Sequence, residues 1–340
     1  MKSILVTSVG NIGVGNQILC SLRMSNDPLY IVGTDISDKC IDIEMLNTFC
    51  LVPRSDQDSY KSIIKDIILT YNVGLVFVGS SSEATFFLNN LNYYLSLGVF
   101  VVLGSRELHD LCLNKCKLFD YLRSKGVLLS RYKKIDCVQD CEHIDFFPVV
   151  VKQNFQALAS NHVYLAFDFT DLKLLSGYLI NNGIDIIAQQ WIGDSMNEFT
   201  VSVTSNTDGE VISSIAMRRN FESSISYKAK YVRNGKTYFI SSGITQGKVE
   251  IIPKLSQQVE KIASLLKSTG PLNLQGIWSN ENFYLFDAHP AITSSVYMKA
   301  LAGYNEPLYY VDRILAGKDH ILASHEVEIV KKIFAEVKKG

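Results

Sequence analysis

The chain has 340 residues, of which 47% are hydrophobic and 20% are charged, and its formal net charge is −1. This composition excludes a disordered, collagen-like or disulfide-scaffold protein, and the balanced charge argues against a nucleic-acid or anionic-membrane partner. The length exceeds the roughly 250–300 residues that one hydrophobic core supports, so we expect two or three packed units.

Neither a membrane segment nor a secretory leader is predicted. The most apolar runs, residues 99–103 and 146–151, have the length of strands and fall far short of the about 20 residues of a membrane span. The N-terminal apolar run is short and leads directly into a glycine turn, unlike a signal peptide. The seven cysteines are odd in number and lie in apolar or helical contexts, which favours reduced thiols over disulfides or zinc ligands. We therefore expect a cytoplasmic protein.

Short apolar runs and amphipathic segments alternate over the first hundred residues. An amphipathic segment follows the turn at residues 10–15 and ends near Arg23. Uniformly apolar strands between amphipathic helices are typical of a parallel sheet covered on both faces, so we predict a doubly wound domain over residues 1–108. The predicted strands are 3–9, 30–34, 74–79 and 99–104, and the predicted helices are 57–71 and 83–97.

Beyond residue 108 the pattern changes to mixed α+β, which we divide into a small lobe over 109–185 and a large lobe over 186–340. An Asp208-Gly209 turn between two runs of alternating polar and apolar residues predicts a β-hairpin. Thr170 is the predicted N-terminal cap of the helix that begins at residue 171. The predicted strands are 146–152, 162–167, 198–205, 210–218, 274–279 and 283–287. The predicted helices are 114–124, 171–179, 255–267, 297–301, 308–315 and 327–338.

Gly10, Gly13 and Gly15 follow the first predicted strand in a Gly-x-x-Gly-x-Gly arrangement. This order departs from the Gly-x-Gly-x-x-Gly of dinucleotide-binding turns, in which Asp35 would be the expected acidic partner. The glycines can instead serve a tight strand-to-helix turn with close helix packing and no ligand. We favour this structural interpretation and keep a nicotinamide-dependent oxidoreductase as a weaker alternative.

A set of polar residues with a characteristic order is spread over the rest of the chain. Each residue alone is readily explained as a surface or strand-end polar group. The set comprises Lys115, Lys152, the segment Gln189, Gln190, Trp191 and Ile192, and then Glu198, Gln275, Asp287 and His289. Their order and spacing resemble the ATP-grasp superfamily, and within it the single-unit proteins similar to the carbamoyl-phosphate synthase large subunit. The resemblance covers nearly the whole chain.

The resemblance implies that ATP is held between two α+β lobes. Lys115 and Lys152 would contact the phosphates from opposite walls, since phosphates need cations. The adenine would lie against the backbone of residues 189–192, and Glu198 would accept the ribose hydroxyls. Gln275 and Asp287 would hold a Mg²⁺ ion that bridges the phosphates, because Mg²⁺ prefers oxygen ligands.

The resemblance also implies catalytic cations, while three features depart from the family pattern. Arg218 and Arg219 match positions near the transferred phosphate or the substrate carboxylate. The loop at 153–161 contains no glycine, although a loop that folds over phosphates is normally glycine-rich. His289 and Ala291 stand where the family has asparagine and arginine, and Gln190 replaces an acid. Imidazole at His289 suits Mn²⁺ better than Mg²⁺.

These features predict an ATP-dependent carboxylate–amine ligase that acts on a small molecule through an acyl phosphate, with Mg²⁺ or Mn²⁺ as the metal. The acceptor is expected near residues 241–245 and Arg218. The altered phosphate end leaves an alternative, a degenerate ATP-grasp protein that binds a nucleotide or metabolite without turnover. The expected partners are a small-molecule carboxylate and an amine, without nucleic acid or membrane, and a homodimer is allowed for.

Overall fold

The N-terminal part of the chain forms a five-stranded parallel sheet with helices on both faces. The computed structural model describes residues 2–10, 13–40, 42–155 and 162–329. The strands are β1 (Ser3–Thr7), β2 (Ile31–Asp35), β3 (Thr48–Leu51), β4 (Val73–Phe77) and β5 (Phe100–Val102). The helices are α1 (Val14–Leu22), α2 (Ser59–Thr70), α3 (Ser81–Asn89) and α4 (Leu91–Ser96). The strand order β3-β2-β1-β4-β5 confirms the predicted doubly wound α/β class.

Two details of this sheet were not predicted. β3 is an edge strand with half-buried and exposed residues, so its sequence lacks the uniform apolar run of the inner strands. The predicted helix over 83–97 is divided at Asn90 into α3 and α4. Ser80 caps α3 by accepting a hydrogen bond from the backbone of Glu83.

The glycine turn between β1 and α1 is explained by packing. A Cβ atom on Gly15 would lie 2.2 Å from the Thr7 carbonyl oxygen and 2.3 Å from that of Ser8. The Asp35 carboxylate accepts a hydrogen bond of 2.8 Å from the Gly10 amide, within the fold. These contacts support the structural interpretation of the glycines; residues 11 and 12 lie outside the described residues.

A four-stranded antiparallel sheet follows, with the order β6-β9-β7-β8. Its strands are β6 (Tyr132–Ile135), β7 (Val149–Gln153), β8 (Val163–Ala166) and β9 (Ile186–Gln190), and the helices of this region are α5 (Arg106–Leu113), α6 (Lys115–Ser124) and α7 (Phe169–Asn181). The predicted boundary at residue 186 cuts through this sheet because β9 pairs with β6 and β7. We propose a boundary after Gln190. The cap of α7 is Asp168 rather than Thr170, since the Asp168 carboxylate accepts from the Asp171 amide.

The last sheet has six strands in the order β16-β15-β10-β11-β14-β17. Its strands are β10 (Glu198–Ser205), β11 (Val211–Arg219), β14 (Gly247–Glu250), β15 (Pro271–Ser279), β16 (Asn282–His289) and β17 (Val327–Ile329). β12 (Tyr227–Arg233) and β13 (Lys236–Ser241) form a separate hairpin. The helices are α8 (Pro253–Leu265), α9 (Val296–Leu301) and α10 (Glu306–Val311), which continues into a π-helical turn at Asp312–Ala316.

The hairpin predicted from the Asp208-Gly209 turn is present, with β10 paired to β11, but the predicted C-terminal helix over 327–338 is wrong at its start. Val327–Ile329 is a strand that pairs with β14, so a partner distant in sequence overrides the local helical spacing. Residues 330–338 lie outside the described residues. No helix in the described ranges is both long and apolar enough to cross a membrane.

The six-stranded sheet has one apolar and one polar face. Phe199, Val201 and Leu274 face a core shared with α5, α6 and α8. On the opposite face, successive cross-strand pairs are polar: Thr200 with Gln275, and Gln275 with Asp287. Alternation along the strands therefore collects polar side chains on the face that looks toward the four-stranded sheet.

We expect Gly15→Ala to destabilise the protein and Gly13→Ala to be much milder. The new methyl group at position 15 would meet two backbone oxygens that cannot move away, at a cost of about 1–3 kcal/mol of unfolding free energy. At position 13 the nearest backbone atom is 3.3 Å away. Urea unfolding midpoints of both variants measure the difference, and equal midpoints would contradict the packing explanation.

Candidate active site

A cavity of about 460 Å³ lies between the four-stranded and six-stranded sheets, beside the β12–β13 hairpin. Ten of the twelve predicted site residues line it. They are Lys115, Lys152, Gln189, Gln190, Trp191, Ile192, Glu198, Gln275, Asp287 and His289. The structure thus brings together residues that are separated by more than 170 positions in the sequence, such as Lys115 and Asp287.

Two lysines enter the cavity from the side of the four-stranded sheet. Lys115 opens α6, and its ammonium group forms an ion pair of 2.8 Å with Asp287 on β16. Lys152 near the end of β7 is buried, and its Nζ donates a hydrogen bond of 2.7 Å to the Phe286 carbonyl. Burial, reinforced by the nearby Lys115 charge, lowers the pKa of Lys152 to about 7. An anion that binds beside Lys152 should therefore raise its pKa again and restore its full positive charge.

Asp287 is the carboxylate that faces both ammonium groups. Its burial would raise its pKa, but the charges of Lys115 and Lys152 outweigh this effect and hold the pKa below the ordinary value. Two cations thus share one anion in a site withdrawn from water. Such an excess of positive charge is suited to a phosphate or another multiply charged anion.

The predicted metal ligands lie on neighbouring strands as expected. Gln275 is the cross-strand partner of Asp287, and β16 extends as far as His289, which places both β16 side chains on one face. Burial lowers the pKa of His289, so its imidazole is neutral near pH 7 and able to ligate. Within the described part of the chain, no three His, Cys, Asp or Glu side chains form a metal site. A cation here would also need the Gln275 amide oxygen and ligand oxygens.

Glu198 lines the cavity but is paired with Arg219. Arg219 Nε lies 3.5 Å from Glu198 Oε1, and the two side chains are only 3% and 6% exposed. The guanidinium also donates to the carbonyls of Ser242 (2.8 Å) and Ile244 (3.1 Å). Burial raises the pKa of Glu198 and lowers that of Arg219, although each charge partly offsets the shift of the other. Arg219 therefore links the loop that follows β13 to Glu198 at the start of β10.

Neither predicted catalytic arginine is among the described residues that line the cavity. Arg218 forms two hydrogen bonds with the Glu250 carboxylate, at 2.9 and 2.8 Å, and contacts Asn197. Its guanidinium also lies over the Phe199 ring. The structure gives no support for a direct role of Arg218 or Arg219 at a transferred phosphate.

The segment expected to hold the adenine comprises the last two residues of β9 and the first two residues of its connection to β10. The Gln189 side chain donates to Ser130 Oγ at 2.9 Å, and the Gln190 and Trp191 amides already donate to backbone carbonyls. A base bound here would have to use other groups of this segment. Val150, Ile277 and Phe286 add apolar walls to the cavity.

The loop after Lys152 begins in a fixed position. The Asn154 side chain accepts from the Cys116 amide at 2.9 Å and donates to Asp185 at 2.8 Å, and its carbonyl accepts from the Lys115 amide. This attaches the loop start to the first residues of α6. Residues 156–161, most of the glycine-free loop predicted to cover the phosphates, lie outside the described residues.

Several lining residues were missed by the sequence reasoning. Thr293 and Ser294 line the cavity beside Ser241 and Ser242, which belong to the segment expected to receive the acceptor. The hydroxyl-rich stretch right after His289 was the available signal. His109 lies behind the wall, with its ring centroid 6.4 Å from that of His289, and burial lowers its pKa to about 4. A lone histidine on a helix gave no sequence signal for this contact.

No sequence model of a known family and no curated protein sequence matches the chain. Solved structures do match over most of its length. The L-amino acid ligase of Bacillus licheniformis covers 93% of this chain and 74% of its own, at 13% identity and TM-score 0.64. The biotin carboxylase of Campylobacter jejuni covers 94% and 72%, at 13% identity and TM-score 0.65. The N5-carboxyaminoimidazole synthetase of Staphylococcus aureus covers 96% and 81%, at 14% identity and TM-score 0.63.

The chain therefore has the ATP-grasp fold. Identities this low define the architecture, while chemistry has to be argued from the site itself. The narrower resemblance to the carbamoyl-phosphate synthase large subunit stays a prediction.

We expect Arg219→Met to destabilise the protein far more than Arg218→Met. Removing the Arg219 guanidinium leaves Glu198 as an uncompensated buried charge, at a cost of about 3–5 kcal/mol. Arg218 is 31% exposed, and water can solvate the Glu250 carboxylate that it leaves. Denaturant unfolding of both variants tests this ranking. A stable Arg219→Met protein that has lost only catalysis would restore the predicted catalytic role.

Proposed function

We propose that this protein is an ATP-dependent ligase that joins a small carboxylate to an amine through an acyl phosphate. The observation that carries the proposal is the buried excess of positive charge formed by Lys115 and Lys152 around Asp287. The matching folds include enzymes named L-amino acid ligase, N5-carboxyaminoimidazole ribonucleotide synthetase and phosphoribosylglycinamide synthetase, which supports this kind of reaction.

The residues of the cavity are chemically suited to ATP. Lys115 and Lys152 would neutralise the phosphates, and the apolar walls beside residues 189–192 would hold the base. Glu198 would face the ribose while remaining paired with Arg219. Bound ATP supplies the phosphoryl group that activates the carboxylate. The protein's own task is then to position the reactants and neutralise charge.

Gln275, Asp287 and His289 would hold the metal ion. Their amide, carboxylate and imidazole groups form a mixed oxygen–nitrogen set, which accepts Mg²⁺ and suits Mn²⁺ better. The carboxylate and amine would occupy the end of the cavity lined by Ser241, Ser242, Thr293 and Ser294. Hydroxyl groups there can donate to a carboxylate or accept from an amine.

Nucleotide binding without turnover is the second candidate. It is favoured by Ala291, which is buried in a core of the N-terminal domain, and by the engagement of Arg218 and Arg219 outside the cavity. The cavity therefore presents fewer positive charges to a transferred phosphate group than the family pattern implies. The nicotinamide alternative loses support, because Asp35 already accepts from the amides of Gly10 and Ser37. A cytoplasmic location and a homodimer remain predictions.

The ligase proposal predicts ADP release from ATP in the presence of a suitable carboxylate and amine, tested with a panel of amino acids and small diacids. When the carboxylate carries ¹⁸O, one labelled oxygen should appear in the released phosphate, because the acyl phosphate forms through that oxygen. Lys152→Met should lower the ATP affinity by roughly 10- to 150-fold through loss of a charge-assisted interaction of about 1.5–3 kcal/mol.

The exposed Lys173→Met variant in the same lobe is the matched control and should behave like the parent protein. ATP binding without ADP release across the panel would favour the second candidate. Absence of ATP binding in the parent protein would overturn both.

The pKa of Lys152 also predicts a pH dependence of nucleotide affinity. In the free protein this pKa is about 7, far below the ordinary 10.5, and a bound phosphate should raise it again. Binding above pH 7 must therefore take up a proton, and affinity should fall by roughly tenfold per pH unit between about pH 7 and 10. Calorimetry in buffers of different ionisation enthalpy counts this proton. Lys152→Met should bind more weakly but lose this slope; an unchanged slope would assign it to another group.

A further inference from the structure

The carboxylate available to a metal ion is already engaged by a lysine. Asp287 and Lys115 are 2.8 Å apart, and their side chains are 17% and 8% exposed, so water screens the pair poorly. The strand partner of Asp287 is Gln275, which carries no charge. Lys115 binds Oδ1, which also accepts from the Ala288 amide, so a cation that approaches this carboxylate has to share its negative charge with the Lys115 ammonium group.

The charge balance of the cavity opposes a metal ion that arrives alone. Among the described lining residues, Lys115, Lys152 and Lys228 contribute three positive charges when protonated and Asp287 contributes one negative charge, while the other carboxylate, Glu198, is matched by Arg219. A divalent cation would add two further positive charges to a site that is already positive. A nucleoside diphosphate or triphosphate would make the net charge of the site negative and offer Lys115 a new anionic partner.

The surroundings of Lys115 allow its side chain to change partner while its backbone stays in place. Its amide donates to the Asn154 carbonyl at 3.0 Å, and the next amide donates to Asn154 Oδ1 at 2.9 Å. Lys152 is less suited to this exchange, since its Nζ is held by the Phe286 carbonyl at 2.7 Å. The ammonium group of Lys115 is therefore held by a carboxylate and that of Lys152 by a backbone carbonyl, although both lie near Asp287.

We propose that Lys115 couples metal binding to nucleotide binding by exchanging the Asp287 carboxylate for a phosphate. In the free protein Lys115 blocks the carboxylate, and in the nucleotide complex it releases the carboxylate to the metal. This inference rests on the proposed nucleotide site but goes beyond it, because it assigns an order to two ligands. By linkage, the metal must strengthen nucleotide binding by the same factor.

The test compares Lys115→Met with the parent protein in the absence of nucleotide. Free Mn²⁺ is measured by electron paramagnetic resonance while protein is titrated into it. Removing the competing ammonium group should tighten Mn²⁺ binding, by on the order of 5- to 150-fold, the usual range of coupling between two sites. Lys117→Met, an exposed lysine on the same helix, is the matched control and should bind Mn²⁺ like the parent protein. Unchanged Mn²⁺ affinity in Lys115→Met would overturn the proposal.

Two further measurements separate this proposal from the proposed function. With a non-hydrolysable ATP analogue in EDTA, calorimetry should show binding to the parent protein and weaker binding to Lys115→Met. If the parent protein binds the analogue, but the parent protein and Lys115→Met bind Mn²⁺ with equal affinity, the nucleotide site stands and the coupling fails. If no analogue binds with or without Mn²⁺, the proposed function fails and the coupling fails with it.

Lys115→Arg guards against a folding defect in the methionine variant. Arginine keeps the positive charge and can pair with Asp287, so Mn²⁺ binding without nucleotide should remain as weak as in the parent protein. Asp287→Asn should abolish tight Mn²⁺ binding in every background while keeping analogue binding in EDTA. Tight Mn²⁺ binding by the arginine variant, with thermal unfolding unchanged, would show that the lysine charge does not control the metal site.

Discussion

The sharing of one buried carboxylate by two lysines is the interaction on which the site depends. Lys115 comes from α6, Lys152 from the four-stranded sheet, and Asp287 from the six-stranded sheet. Isolating two cations from water is costly, and a single carboxylate compensates them only in part. The Lys115–Asp287 ion pair and the hydrogen bond from Lys152 to the Phe286 carbonyl join these elements, and the cavity is left with an excess of positive charge.

Charged side chains also stabilise the packing of helices on the polar face of the six-stranded sheet. Beyond the cavity, Lys299 donates to Ser202 Oγ at 2.8 Å, and the Glu306 carboxylate accepts from Thr204 Oγ1 at 2.8 Å. These side chains belong to α9 and α10, whose other sides pack against the N-terminal sheet. Burial lowers the pKa of Lys299 and raises that of Glu306, as expected where water is excluded. The polar face of this sheet thus lines the cavity at one end and packs against α9 and α10 at the other.

The departures from the ATP-grasp pattern fall on the phosphate end and share a consequence. Ala291 is packed in a core rather than directed at a ligand, and Arg219 is bound to Glu198 and to backbone carbonyls. The positive charge that lines the cavity is therefore carried by lysines, namely Lys115, Lys152 and Lys228, and not by these two positions. Under the proposed function, phosphate binding would depend more on lysine protonation than in a site that also presents arginine, which is always charged.

Sequence alone determined the features that rest on local pattern. Apolar periodicity predicted the doubly wound domain and Asp208-Gly209 predicted a hairpin, because strands and turns are encoded by neighbouring residues. The ten cavity-lining positions were predicted through the resemblance to the ATP-grasp superfamily. The sequence could not reveal that Val327–Ile329 would pair with β14. Only the tertiary structure decided the partners of the charged groups. Lys115 meets Asp287 across 172 positions, and Arg219 turns to Glu198 rather than to the cavity, since the burial and spacing that select an ion pair exist only once the sheets have packed.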